Sequence, residues 1–252
     1  MLYLMHQEKT PLLKFHIRKY TPIIALVILS AISLSPLIEI AEEKLSTHMI
    51  FEHAIFFLLG ALSVISAERI LNILSHWQSR RLLTDFNNEY RGSSDLLLSK
   101  LSIVLIGWRN LLRIIFSFDK TGILWISIAI VLMTLWHIPA VFNTAAIDVN
   151  VHIMQHFSFI IVGAGGFIFL RIRGESFKVF MLLAIICMMG FEGLIFSVVD
   201  QPIYDVYPIW QHHEAGIYMI ITSTLLLLVG LPYYLIKRTM VYIKSVGANS
   251  KL

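Results

Sequence analysis

The sequence predicts an all-α fold, a polytopic membrane bundle of about six transmembrane helices with one amphipathic helix at the interface. Three observations predict it. Hydrophobic residues make up 57% of the chain and charged residues only 14%, against roughly 25% charged in a soluble domain. The apolar residues come in blocks of about twenty, the length at which a helix crosses a ~30 Å hydrocarbon core. The basic residues sort to one side of those blocks, as the positive-inside rule requires.

The first block, residues 21–40, follows a tail with Lys9, Lys14, Arg18 and Lys19 and runs into Glu39, Glu42 and Glu43. A cleaved signal peptide has a shorter apolar core and a small-residue cleavage site, so a retained first helix is expected. Five more spans follow at residues 48–67, 121–142, 151–170, 177–199 and 215–236. Residues 96–118 are also apolar, but they carry Lys100, Arg109 and Arg113, and charge at a helix centre is expensive. Ser102, Arg109 and Arg113 recur at spacings of seven and four, on one helical stripe. That pattern fits a helix lying in the interface plane.

Charge decides the count. If residues 96–118 do not cross, every Lys and Arg except Lys44 falls on one side. If they cross, the later basic loops change sides and the asymmetry collapses. Six spans with both termini cytoplasmic follow, in one integral-membrane domain over residues 1–252 placed in the plasma membrane. Residues 68–95 then form a cytoplasmic polar segment. Topology alone accounts for the basic face, so membrane lipids are the expected contacts and nucleic acid is not. The single cysteine, Cys187, has no intrachain disulfide partner and is expected to be a small buried hydrophobe.

The same topology gathers seven of the ten histidines at the outer edge, although they played no part in deriving it. His48 and His53 lie at the start of the second span, and His137 near the end of the third. His152 and His156 open the fourth, and His212 with His213 precede the sixth. His152 and His156 are spaced i, i+4, so both rings project from one helix face about 6 Å apart, close enough to share an ion. His48 and Glu52 have the same spacing, with His53 off that face. Pro139, two residues beyond His137, bends or ends the helix there. These eight residues, Glu52 included, are the candidate metal ligands. No catalytic residue is assigned.

Glu192 lies about two turns below the outer surface in MMGFEGLIF. An ionisable group at that depth faces the bundle interior with a partner. With Asp200 and Glu214 it is a candidate for orienting a histidine or relaying protons. Gly163, Gly165 and Gly166 suit close helix packing. Met49, Met154, Met188 and Met189 offer soft sulfur or fill gaps in the core.

Four pieces of sequence resemble the CtaG-type family of membrane proteins linked to heme–copper oxidase assembly, and a related archaeal membrane family of unknown function. They are THM (47–49), LWHIPAVFNTAAI (135–147), VHIMQHFSF (151–159) and DQPIYDVY (200–207). The resemblance implies a copper-related role at the outer face, with His48, His137, His152 and His156 at the family's histidine positions. The chain departs from the family at its first pair. That pair usually reads HMxxH, whereas Glu52 stands here at i+4 and His53 follows. A literal pairing gives a His/Glu site, which suits copper less and zinc more. The bacterial proteins also tend to have an extra span.

The leading expectation is a copper-binding, non-enzymatic protein that assists or belongs to a copper-containing respiratory or oxidase complex. A second is an intramembrane zinc-dependent lipid hydrolase, with His152, His156 and His213 on zinc and Glu52 as base. A third is a b-type cytochrome holding heme between two histidines. A fourth is a structural membrane subunit with interfacial histidines.

Overall fold

The computed structural model describes residues 10–85 and 119–249, with Gly107, Asn110 and Ile114 between them. Most of the segment 96–118, expected at the interface, lies outside the described residues. So does the C-terminal part of the polar segment 68–95.

The described chain is all-helical. Its helices are α1 (Thr10–Ser33), α2 (Pro36–Glu42), α3 (Leu45–Thr47), α4 (His53–Asp85), α5 (Ile123–Trp136), α6 (Pro139–Ile147), α7 (Val149–Arg173), α8 (Glu175–Val198), α9 (Ile209–Leu225) and α10 (Leu231–Asn249). Two π turns interrupt them, His48–Glu52 and Leu226–Gly230. Both join their flanking helices smoothly, so the apolar helices run from Leu45 to Ile73 and from Ile209 to Ile243.

These two, with α7 and α8, are long and apolar enough to cross a membrane. A fifth follows if α5 and α6 count as one span, broken by a 74° bend. Pro139 causes the break: it cannot continue the hydrogen-bond ladder of α5 and instead opens α6. The first block differs from expectation. Its helix stops at Ser33 and a new one opens at Pro36, so its apolar stretch is only Tyr20–Ser33. Ser35 precedes that proline with ψ 157°, the extended conformation a following proline imposes.

The chain divides into two compact units. The first takes in Met1–Leu34, Phe56–Val131 and Phe159–Ile172. Here α4 and α7 meet backbone to backbone. A Cβ on Gly60 would come within 2.0 Å of the Ile160 carbonyl oxygen, and one on Gly163 within 2.0 Å of that of Phe57. Gly165 faces the Trp125 carbonyl more loosely, while Gly166 faces open space. Of the three α7 glycines, Gly163 therefore makes the close approach.

The second unit takes in Ser35–Ile55, Leu132–Ser158 and Arg173–Leu252. Its core joins Leu45, Met49, Phe142, Phe196, Tyr204, Ala215 and Met219, with Met189 packed against it. Gly193 and Gly216 bring α8 and α9 together: a Cβ on Gly216 would meet the Gly193 carbonyl oxygen at 2.6 Å. Cys187, Met154 and Met188 are exposed. Cys187 is thus not the buried hydrophobe expected; it shares α8 with exposed Phe180, Phe191 and Leu194.

Candidate metal centre

Every candidate site residue read from the sequence falls in the second unit, and four ligand atoms converge there. Glu42, Glu52, His152 and His156 each offer one, and all four lie within 4.8 Å of one another. Glu42 was not among the sequence candidates. It ends α2 in the run AEEK, where polar residues are expected at a helix end for any reason.

Local sequence explains how each side chain is held. Asp148 caps α7, its Oδ1 accepting from the Asn150 and Val151 backbone N–H groups at 2.8 and 3.2 Å. That cap fixes the first two turns, which carry His152 and His156. Their ring centroids are 4.2 Å apart, as i, i+4 spacing on one face allows. The chain leading from α2 into α3 is clamped from the start of α9. Gln211 Oε1 accepts from the Leu45 N–H at 2.9 Å, and the Tyr207 hydroxyl donates to the Glu42 carbonyl oxygen at 2.7 Å. Burial, then the nearby Glu52 and Glu42 carboxylates, push the Tyr207 phenol above its ordinary range, so it stays a donor.

Glu52 is the centre of the group. Its side chain has no exposure, and its two oxygens face opposite ways. Oε1 lies 2.5 Å from His156 Nε2, and Oε2 lies 2.5 Å from His48 Nδ1. Glu42 Oε1 is 2.9 Å from His152 Nε2 and 4.0 Å from His156 Nε2. A buried carboxylate requires such partners.

The donors fit a metal ion in type and number, with one adjustment. Two ligands of a tetrahedral ion with bonds of about 2.0–2.1 Å lie roughly 3.3 Å apart. Glu52 and His156 are hydrogen-bonded at 2.5 Å, closer than that, so a bound ion would have to part the two groups. A cavity of about 250 Å³ adjoins the site, lined by Glu42, His48 and His152 and walled by Phe142, Ala145 and Val149.

The remaining candidates are placed differently. The π turn gives an i→i+5 bond, His53 N–H to the His48 carbonyl. Its wider pitch brings His53 back beside His48, with ring centroids 5.2 Å apart. His137 stands in the α5–α6 break, its ring centroid 5.7 Å from His53's and its Nε2 3.7 Å from Glu192 Oε1. His212 uses both ring nitrogens on backbone: Nε2 accepts from the Tyr204 N–H at 3.1 Å, and Nδ1 donates to the Pro208 carbonyl at 3.3 Å. His213 Nε2 donates to the Val199 carbonyl at 2.9 Å. Asp200 is exposed and Glu214 half-buried, and neither belongs to the four-donor group.

Comparison of the chain with protein-family models, with curated proteins and with solved structures finds no match.

Proposed function

We propose that this protein is a six-span plasma-membrane protein with cytoplasmic termini. It binds a divalent transition-metal ion through Glu42, Glu52, His152 and His156 at the extracytoplasmic ends of its helices. Its role is copper handling, as an assembly factor for, or accessory subunit of, a copper-containing respiratory complex. The convergence of those four ligand atoms within 4.8 Å carries the reading. Two carboxylates and two neutral imidazoles cancel the charge of a divalent ion, which matters where solvation is poor. Mixed nitrogen and oxygen donors are friendlier to zinc than an all-imidazole set would be, but copper(II) keeps the higher intrinsic affinity for them. The copper role draws on the resemblance of residues 47–207 to the oxidase-assembly family. Six spans follow from the charge distribution, with α1 as the first crossing and α5–α6 as one broken span.

Zinc-dependent lipid hydrolysis is a second reading, favoured by the paired carboxylates and by the cavity beside Glu42 and His152. On zinc, one carboxylate would act as general base on bound water. Metal analysis of detergent-purified protein after equilibration with copper and zinc together separates the two. Copper retained by the wild type and lost in His152→Ala/His156→Ala supports copper handling. Zinc retained against copper, with turnover of a phospholipid or acyl ester, favours the hydrolase. Failure to hold either ion contradicts both.

A further inference from the structure

The cavity beside the four-donor group is lined by polar side chains that metal binding does not use. Gln155 is one of them, three residues after His152 on the same face of α7. It is only 1% exposed, and neither its Oε1 nor its Nε2 has a hydrogen-bond partner among the described residues. A buried amide left in that state is destabilising, so it favours a ligand that pairs with both atoms. His48 lines the same cavity. The Glu52 carboxylate, 2.5 Å from its Nδ1, holds the ring proton on that side and leaves Nε2 as an acceptor. That Nε2 is likewise buried without a partner among the described residues.

These groups define the ligand. Gln155 Oε1, His48 Nε2 and the Tyr207 oxygen are acceptors, since the Tyr207 proton goes to the Glu42 carbonyl at 2.7 Å. Gln155 Nε2 is a donor. A matching molecule therefore brings its own donors and at least one acceptor, which hydroxyls supply and an ammonium does not. Phe142, Ala145 and Val149 make the rest of the wall apolar, with Phe142 stacked on Tyr204 at 3.9 Å between ring centroids. A polyol would set unmatched hydroxyls against that wall, whereas a ring with hydroxyls at its edge would not. A cavity of about 150 Å³ admits benzene, so about 250 Å³ takes such a ring with small substituents.

We propose that this cavity binds a hydroquinone headgroup, its hydroxyls pairing with Gln155 and His48 and its ring lying against the apolar wall. Binding needs no ion in the four-donor group and breaks none of the contacts that hold it. Ile147 and Val149 line the cavity and are also exposed, so a hydrocarbon tail can leave along apolar side chains. The same inventory sets a redox preference. An oxidised quinone carries acceptors alone and pairs only with Gln155 Nε2, so it binds more weakly.

The test is anaerobic equilibrium dialysis of 2,3-dimethylhydroquinone against the detergent-purified full chain, with empty micelles as the blank. One molecule per chain is expected to bind, about tenfold or more tighter than the matching quinone or the dimethyl ether. Gln155→Leu should weaken binding about tenfold while leaving the unfolding temperature unchanged or higher, because it removes an unpaired amide. Ala146→Phe, at an exposed lining position, should weaken binding by narrowing the cavity. An isoprenoid-tailed hydroquinone in lipid nanodiscs identifies the source: much tighter binding points to the membrane, equal binding to a soluble phenol. No saturable binding by the wild type, equal binding of hydroquinone and ether, or binding untouched by Gln155→Leu would each overturn the proposal. The ligand series needs no variant, so it decides the matter even where a substitution impairs folding. Metal analysis of the same preparations keeps the two sites apart. Protein that binds hydroquinone without holding an ion contradicts the metal centre alone, and protein that holds the ion without binding hydroquinone contradicts this proposal alone.

Discussion

Glu52 links two sets of histidines through its two oxygens, His156 on one side and His48 on the other. Glu52→Gln keeps the volume but replaces one acceptor with an amide that faces an imidazole. Loss of that buried pairing is expected to cost about 1–3 kcal/mol and to abolish metal retention, read by thermal unfolding and metal analysis of one preparation. Tyr207 acts on the site through Glu42. Tyr207→Phe removes a hydrogen bond worth about 1 kcal/mol and is expected to lower metal affinity about 10–100-fold, with the helical circular-dichroism signal unchanged. Proton competition adds a sign. Ligating histidines must be neutral, so occupancy should fall as pH is lowered and recover on return. Occupancy that rises in acid would contradict imidazole ligation. The i, i+4 pair His152/His156 was legible in sequence, because one helix face sets its geometry. Glu42 was not: its contribution depends on the turn after α2 and on contacts from Tyr207 and Gln211, more than 160 positions away.

The helices that form the site are defined by their interruptions. The π turn at His48–Glu52 allows His48 to face Glu52 while His53 packs beside His48. An α-helical reading of the same residues places His53 off that face, and nothing in a single sequence marks the wider turn. Pro139 could be read directly, and the α5–α6 break falls where it predicts. Pro36 carried the same information, but the apolar run across it suggested one unbroken span. Helix packing offers a paired test. Gly163→Leu puts a side chain where a Cβ alone would lie 2.0 Å from the Phe57 carbonyl, whereas Gly166 faces open space. The first is expected to destabilise by roughly 1–3 kcal/mol or more, and Gly166→Leu to leave the unfolding temperature in detergent near the wild-type value. Equal effects would contradict the close approach of α4 and α7.

At the scale of the molecule, the apolar faces are covered by little protein. Only 17% of the most apolar window of α8 is buried, and 11% of that in Ile209–Ile243, which suits helices surrounded by lipid. Composition and block length made this class legible, because bilayer thickness imposes them directly. The orientation rests on the distribution of Lys and Arg and has its own test. In a Cys187→Ser background, Asp205→Cys is expected to react with a membrane-impermeant thiol reagent in intact cells. Lys178→Cys should react only after permeabilisation; the reverse pattern would invert the topology.

The central claim is that four side chains from α2, the π turn and α7 close on a single ion. X-ray absorption at the edge of the ion bound by the four-donor group tests it most directly. The expected spectrum has two imidazole nitrogens and two carboxylate oxygens at about 2.0–2.2 Å, and the imidazole scattering vanishes in His152→Ala/His156→Ala. An ion coordinated by water alone, or a spectrum unchanged by that double substitution, would contradict it.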